Sequence, residues 1–540
     1  MAVYQSKIIT GSDTFAQNRA DMLDYIDRMR TYEKRAETKS EKRRERFHER
    51  GQLTPRERLA QILDPGMPFV ELYNMANFQA EDPDLDTSIP GGSSIAGIGF
   101  INGVRSLIMS NDSGINAGAI TNMSVEKALG CLKMANRQSL PFVQLVESAG
   151  ANLVTYKLKL WADGGGMFYG LAKLSAKGIP TFVVLHGPST AGGAYQPGMS
   201  DYVIGVKKNG MAALAGAALT RAATGEVADE EQLGGAEMHA SVSGLVEYLA
   251  DDDAHGISIA RDLFTRIDWN ARCPKPELRT FAEPLYDPEE IAGVVPVDYR
   301  TPYDVRELIA RLVDGSDFVD FKPRYGAATV CVQAEIYGQQ CAIIGNNGPI
   351  DPQGATKAAQ FFQLADQSNL PLIFLSNTTG YMVGTEVEQA GMIKHGSKMI
   401  QAVSNVRVPR ITLYVGASFG AGNYGMCGYA YEPDFLFTWP NAQTGVMGGE
   451  QAAKTMDQVA RVGAKRRGME INEDQLAAQR AYITDHFDKQ HTAFYSSGQC
   501  LDHGMIDPRD TRKVLAFALQ TCWEARNRTL HPNSFGVARL

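Results

Sequence analysis

Two short segments of this 540-residue chain have the composition that transition-state stabilisation by backbone groups requires. Strand-like Thr181–Gly187 (TFVVLHG) runs into PSTAGGAY, and strand-like Ile411–Gly416 (ITLYVG) runs into ASFGAGNYG. Small residues between a strand and a helix leave successive N–H groups uncovered, and a helix start adds positive potential. Donors held in place before charge develops form an oxyanion hole. One such turn is ordinary close packing through glycine. Two at matching places, with Gly192 aligned on Ala421 and Gly193 on Gly422, point to a pair of such sites.

A second chemistry is written over the later turn. GASFG (Gly416–Gly420) matches the G-x-S-x-G nucleophile elbow, so a serine hydrolase with Ser418 as nucleophile is the alternative, its base drawn from His486, His491, His503 or His531. The matching segment GPSTA holds Ser189 without forming an elbow, which weakens that reading. No HExxH, P-loop or EF-hand pattern occurs, and no metal site is expected. His186 and His395 lie near the glycine turns and read as structural. SND (Ser110–Asp112) and GNNG (Gly345–Gly348) end equivalent strands, where Asn and Asp serve either a ligand or an ordinary turn.

The elements around these turns repeat. IAGIGFINGVRSLIMSND (Ile95–Asp112), LPFVQLVESAGANL (Leu140–Leu153), GIPTFVVLHGPSTAGGAY (Gly178–Tyr195) and SDYVIGV (Ser200–Val206) follow one another in the first half. CVQAEIYGQQCAIIGNNG (Cys331–Gly348), LPLIFLSNTTGYMV (Leu370–Val383), RVPRITLYVGASFGAGNY (Arg407–Tyr424) and PDFLFTW (Pro433–Trp439) repeat the order in the second. The offset of about 230 residues exceeds any solenoid period, so a duplicated domain is expected. Apolar strands alternating with helices predict α/β layering with buried strands and ligands at their carboxyl ends. Proline- and acid-rich Cys273–Tyr303 reads as the connection, so the expected domains are 1–272 and 304–540, with a linker over 273–303. Residues from about Thr14 to Arg50 are helical and charged. Their last stretch, Glu41–Arg50 (EKRRERFHER), reads as a solvated face, with the phosphates of a ligand or a partner as the other candidate contact.

Composition narrows the classes. With 53 basic against 61 acidic residues the net charge is −8, which gives nucleic acid no footing. Hydrophobic residues at 44% and charged residues at 21% are those of a globular protein. The scattered cysteines form no CxxC pair, which supports neither a zinc ribbon nor a disulfide framework. Met1–Thr10 lacks an apolar core of the signal-peptide kind, and no apolar run reaches a membrane span. A bacterial cytoplasmic enzyme without a membrane partner is expected.

Longer segments carry a resemblance. RGQLTPRERLAQILDPG (Arg50–Gly66), STAGGAY, AATGEVADEEQLGGAEMH (Ala222–His239), YDVRELIARLVDGSDF (Tyr303–Phe318), FGAGNYGMCGYAYEPDFLFTWPNA (Phe419–Ala442) and GVMGGEQAA (Gly445–Ala453) resemble the carboxyltransferase β subunits of biotin-dependent acyl-CoA carboxylases. The ending SFGVARL (Ser534–Leu540) is similar to the branch acting on 3-methylcrotonyl-CoA and geranyl-CoA. The resemblance implies two crotonase-like (ClpP/crotonase) spiral domains. It implies that Gly192 and Gly193 donate to the thioester oxygen, with Ala191, Ala194, Gly150, Ala151 and Gly164 lining the acyl-CoA side. Ala421 and Gly422 would donate to biotin, with Phe419, Gly420, Gly380 and Tyr381 beside it. In that mechanism carboxybiotin releases CO2 and its ureido nitrogen takes the substrate proton, so no side-chain base is needed. Biotin would arrive on a separate biotin carboxylase/biotin carrier α subunit, since this chain lacks a Met-Lys-Met attachment signature; LKMAN (Leu132–Asn136) is only a superficial likeness. A hexamer of stacked trimers is implied. Methylcrotonyl-CoA carboxylases usually carry an aromatic residue where this chain has Gly164, so geranyl-CoA is the expected substrate and 3-methylcrotonyl-CoA the alternative.

Overall fold

The computed structural model describes residues 3–153, 156–277 and 279–538; Arg539 and Leu540 of the SFGVARL ending lie outside them. The chain forms two compact units, one of Arg30–Glu277, Gly498–Cys500 and Thr521–Leu540, the other of Met1–Met29, Leu278–Ser497 and Leu501–Gln520.

The first unit is built on a sheet of β1 (Val70–Leu72), β2 (Ser94–Ile101), β3 (Val104–Asn111), β4 (Phe142–Ser148), β5 (Thr181–Thr190), β6 (Tyr202–Val206), β7 (Met211–Ala213) and β8 (Tyr248–Ala250). The order is β1-β2-β3-β4-β5-β6-β8, and β7 pairs with the far end of β5. The second unit holds β9 (Phe318–Asp320), β10 (Thr329–Ile336), β11 (Gln339–Asn346), β12 (Leu372–Thr378), β13 (Arg410–Phe419), β14 (Phe435–Thr438) and β15 (Gln443–Gly445). Here the order β9-β10-β11-β12-β13-β14, with β15 on the end of β13, reproduces the first sheet except for its edge strand β8, which has no counterpart. In each sheet an antiparallel hairpin leads into parallel strands. The expected duplicated α/β architecture is therefore present, and the first long repeated segment is a hairpin.

Local chemistry repeats along with the topology. The β2–β3 turn sets Asn102 and Gly103 at φ of 47° and 73°, and the β10–β11 turn sets Tyr337 and Gly338 at 49° and 71°. Positive φ at both central residues matches the twist of a two-residue hairpin. Asp64 accepts the N–H groups of Asn102 (2.8 Å) and Gly103 (2.7 Å), and Asp314 accepts those of Tyr337 (2.9 Å) and Gly338 (2.7 Å). Arg261 neutralises the first carboxylate at 2.9 Å and Arg512 the second at 2.8 Å. After each hairpin a capped helix crosses the sheet. Thr121 caps Asn122–Gln138 and Asp351 caps Pro352–Gln367, each side chain accepting an N–H of the first turn. The helices press an apolar face on the sheet; Phe361, Phe362 and Phe374 form the centre of one such core.

Within the 273–303 stretch, a 3-10 turn over Pro288–Glu290, capped by Asp287, leads into the buried helical turn Ile291–Val294. The C-terminal tail is pinned onto the helix Leu158–Lys177: Asn533 N–H donates to Ala176 O (2.8 Å) and Val537 N–H to Ser175 Oγ (2.9 Å). Among the described residues no helix is long and apolar enough to cross a membrane.

Candidate active site

The two glycine turns have the same backbone. β5 ends at Thr190, Ala191 takes a φ of 53°, and a tight helical turn follows over Ala191–Ala194. β13 ends at Phe419, Gly420 takes a φ of 56°, and the helix Gly420–Gly425 follows. The left-handed residue redirects the chain so that the next N–H groups begin a helix, where they have no partner inside it. At Ala191 this conformation costs about 1–2 kcal/mol because a Cβ is present, strain of the kind that collects at functional sites.

Space explains the residue types. A Cβ on Gly422 would stand 2.6 Å from Gly380 Cα, and one on Gly193 would stand 2.9 Å from Ser189 Oγ. A Cβ on Gly192 has room, its nearest neighbour being Phe168 Cζ at 3.6 Å, and the equivalent residue is Ala421. Gly192 and Ala421 are exposed, Gly193 and Gly422 buried. Each turn faces a second loop. Gly150 (φ 83°) gives its N–H to Ser148 Oγ and Gly380 (φ 120°) gives its N–H to Thr378 Oγ1, both at 3.2 Å. Their carbonyls accept from Ile120 and Ile350, which fixes Ala151 and Tyr381 beside them.

On the later turn, the Phe419 ring is buried between Tyr299 and His491, so it offers a ligand backbone rather than ring. Tyr381 is half-buried and donates to Gly396 O at 3.3 Å. The missing side chains at Gly380 and Gly422 let the two backbones pack directly on each other, Gly380 itself standing next to Phe419 O. Ser418 is fully buried and extended within β13, not on a turn. Its hydroxyl meets Ser376 Oγ at 2.9 Å and accepts from Asn423 Nδ2 at 2.8 Å. A nucleophile elbow needs an exposed serine on a strained turn beside a base. Ser418 has neither, and the chain Ser376–Ser418–Asn423–Tyr414 instead braces the start of the helix.

Gly164 lies inside the helix Leu158–Lys177, not in a turn. Buried Leu160, Met167, Leu171 and Leu174 anchor this helix strongly enough to carry four glycines, Gly164, Gly165, Gly166 and Gly170, each costing about 1 kcal/mol relative to alanine. A Cβ on Gly164 or Gly165 would meet nothing within 4 Å.

Sequence reading did not find a buried ionic cluster beneath the first turn. Arg58 Nη1 donates to Glu147 Oε2 (2.6 Å) and Nε to Asp253 Oδ2 (2.8 Å), while His186 Nδ1 stands 2.9 Å from Asp253 Oδ1. Burial pushes the His186 imidazole pKa down, with Arg58 adding to it and Asp253 opposing. Burial works against the Asp253 carboxylate, but His186 and Arg58 outweigh it and hold its pKa below the usual range. Glu147 occupies a bulge where the β4–β5 register shifts, and Asn377 occupies the same bulge between β12 and β13. Gly187 and Gly416 lack side chains because Glu147 and Asn377 fill that space. The signal was available: a carboxylate inside the apolar run FVQLVES needs a buried cation.

The basic run was only half-read as well. Lys34, Arg35, Lys39, Lys42, Arg43, Arg46 and Arg50 line a cavity of about 1030 Å³ against the two acids Asp86 and Glu147, and its wall continues to Ser148, Ala149 and Pro188 beside the first turn. A contiguous cationic wall suits a polyanionic ligand.

Known proteins share this sequence pattern and fold. The carboxyl transferase domain family matches residues 46–537. A probable biotin-dependent acyl-coenzyme A carboxylase beta2 subunit of Mycobacterium tuberculosis is 46% identical over 501 residues, 92% of each chain. The mitochondrial methylcrotonoyl-CoA carboxylase beta chain of Arabidopsis thaliana is 41% identical over 538 residues, 98% of this chain and 90% of that one. The crystal structure of the geranyl-CoA carboxylase beta subunit of P. aeruginosa superposes with a TM-score of 0.93 at 47% identity, covering 100% of both chains. Duplicated crotonase-like sheets, paired glycine turns and these likenesses lead to one assignment: the chain belongs to the carboxyl transferase family, as a carboxyltransferase β subunit of the biotin-dependent acyl-CoA carboxylases.

Proposed function

We propose that this subunit carboxylates geranyl-CoA at the γ carbon, with 3-methylcrotonyl-CoA a weaker substrate. The observation that carries the reading is the open space at Gly164 on the helix beside the first turn. Geranyl-CoA is longer than methylcrotonyl-CoA by one isoprene unit, and burying each added CH2 is worth roughly 0.8 kcal/mol. The likeness to a geranyl-CoA carboxylase β subunit supports the same choice.

In this reading residues 1–272 serve the acyl-CoA and 304–540 the biotin, with 273–303 connecting them. Gly192 and Gly193 donate N–H groups to the thioester oxygen as it takes on enolate charge, beside Ala191, Ala194, Gly150 and Ala151. Ala421 and Gly422 donate to the biotin carbonyl oxygen, beside Phe419, Gly420, Gly380 and Tyr381. Each such donor contributes about 3–4 kcal/mol to the transition state. Carboxybiotin supplies the carboxyl group and the base for the γ proton. The protein's part is therefore electrostatic and positional, and the cationic cavity wall of Lys42, Arg43 and Arg46 takes the CoA phosphates. The biotin is brought by a biotin carboxylase/biotin carrier α subunit, the β subunits assemble as a hexamer of stacked trimers, and the complex works in the bacterial cytoplasm.

The test is carboxylation of an acyl-CoA panel by the complex with its biotin-bearing subunit. Geranyl-CoA is expected to give the highest kcat/KM. A complex that turns over methylcrotonyl-CoA and ignores geranyl-CoA would assign the chain to the shorter substrate. The β subunit alone should carry no covalent biotin on a streptavidin blot and should not carboxylate from bicarbonate and ATP.

A further inference from the structure

We infer that Phe168 is a substrate-contacting residue that reads the head of the acyl chain, the segment nearest the thioester, whereas Gly164 leaves room for its tail. The inference rests on the reading of Gly192 and Gly193 as donors to the thioester oxygen. Phe168 sits in the helix Leu158–Lys177, one turn after Gly164. Residues four apart share a helix face, and helical side chains lean toward the N-terminus. The ring therefore lies on the Gly164 side of its own Cα.

Two contacts fix where the ring points. Its Cζ atom is 3.6 Å from the position a Cβ would take on Gly192. Its centroid is 5.1 Å from that of Tyr195, tilted by 52°, and Tyr195 directly follows the donor turn. Phe168 is also not part of the helix's anchoring face: Leu160, Met167, Leu171 and Leu174 are buried, whereas Phe168 is only half-buried. A half-exposed aromatic ring against the donor turn is placed to touch the first carbons beyond the thioester. An acyl chain held by Gly192 passes this ring before it reaches the open space at Gly164. The first carbons, with their double bond and methyl branch, are common to geranyl- and methylcrotonyl-CoA. The two positions should therefore sort substrates differently, Gly164 by length and Phe168 by the shape of the shared head.

The experiment compares Phe168→Ala and Phe168→Leu in the complex with the biotin-bearing subunit. The readouts are kcat and KM for both thioesters, inhibition by free CoA, and thermal unfolding. Phe168→Ala is expected to lower kcat/KM about tenfold for both, with the two losses agreeing within about twofold. Phe168→Leu should recover part of the loss, and CoA inhibition should stay as in the wild type. Unchanged kcat/KM for both thioesters, or a loss confined to geranyl-CoA, would overturn the assignment. If Phe168→Ala unfolds, Phe168→Leu makes the same comparison with the volume largely kept. If the wild type ignores geranyl-CoA, the substrate reading falls, and Phe168 is then judged on methylcrotonyl-CoA, where an undiminished kcat/KM sinks it.

Discussion

Gly422 packs on Gly380 so closely that a Cβ on the first would lie 2.6 Å from the Cα of the second, backbone that cannot turn aside. At Gly193 the obstacle is a side-chain atom, Ser189 Oγ, at 2.9 Å. The two turns should therefore respond differently to the same change. Gly422→Ala should cost at least tenfold in kcat, with no single second-site rescue nearby. Gly193→Ala should cost less, and Ser189→Ala added to it should restore much of the loss. The steeper Gly193→Val should abolish turnover in a protein that still shows native circular dichroism. Steady-state kinetics on the five proteins decides the matter, and equal behaviour of the two alanine variants would count against donor turns shaped by these neighbours.

Ser418 provides the contrast. Its hydroxyl bonds only inside the fold, to Ser376 and Asn423. Ser418→Ala removes a buried hydrogen bond worth about 1 kcal/mol of stability and no reacting atom. Most of the carboxylase activity should remain, and a fluorophosphonate probe should fail to label the wild type. Labelling at Ser418, or complete loss of activity with CoA binding intact, would restore the hydrolase reading.

Gly164→Phe should act on one substrate more than the other. The added ring enters space that holds no atom within 4 Å of the Cβ position. The fold should tolerate it while the tail of geranyl-CoA is refused. Turnover of geranyl-CoA should fall by more than about tenfold and that of methylcrotonyl-CoA by less than about threefold. Equal losses on both would remove Gly164 from the acyl pocket.

The cationic wall predicts a KM effect that depends on salt. Arg43 and Arg46 are exposed, so each contact with a phosphate is partly screened and worth no more than about 1 kcal/mol. Reversing both, Arg43→Glu with Arg46→Glu, should raise KM for the acyl-CoA about tenfold with kcat nearly unchanged, and the gap should shrink in high salt. An unaltered KM would mean that the CoA phosphates bind elsewhere.

Asp502 makes stability depend on pH. Its carboxyl is fully buried, and burial pushes its pKa up to about 7 despite hydrogen bonds from Ser497 and Gly504 N–H. Unfolded, it ionises near pH 4, so the folded state holds the proton more tightly. The associated stability is present in full below about pH 4 and drains away, by up to roughly 1.4 kcal/mol per pH unit, until about pH 7. Asp502→Asn keeps the shape and removes that slope. The variant should melt higher than the wild type at pH 8 and gain little at pH 5; the same difference at both pH values would show that Asp502 does not titrate in this window.

The duplicated architecture and the paired glycine turns were legible in the residues because both rest on short-range rules. Apolar runs of strand length, glycine after a strand and a repeated order of segments are properties of neighbours along the chain, and the offset that set Gly192 on Ala421 is the one the sheets keep. The same rules could not find partners that meet only when the chain folds. Arg58 lies 89 residues from Glu147 and 195 from Asp253, so their ion pairs leave no periodic trace. Glycine runs ordinarily mark turns, yet burial of Leu160, Met167 and Leu171 outweighs the entropic cost and keeps Gly164–Gly166 helical. A mixed-charge run is ordinarily a solvated face, and only the packing of the N-terminal helices turns Lys42, Arg43 and Arg46 into one wall of a cavity. The motif GASFG reads as an elbow until β13 continues through Ser418 and buries it. By itself, then, the sequence determined the family, the repeat and the place of the two glycine turns, since these are carried by local residue type. Tertiary structure decided which charges are paired, which hydroxyl is out of reach and which ring stands over the first glycine turn, because burial and long-range contact set all three.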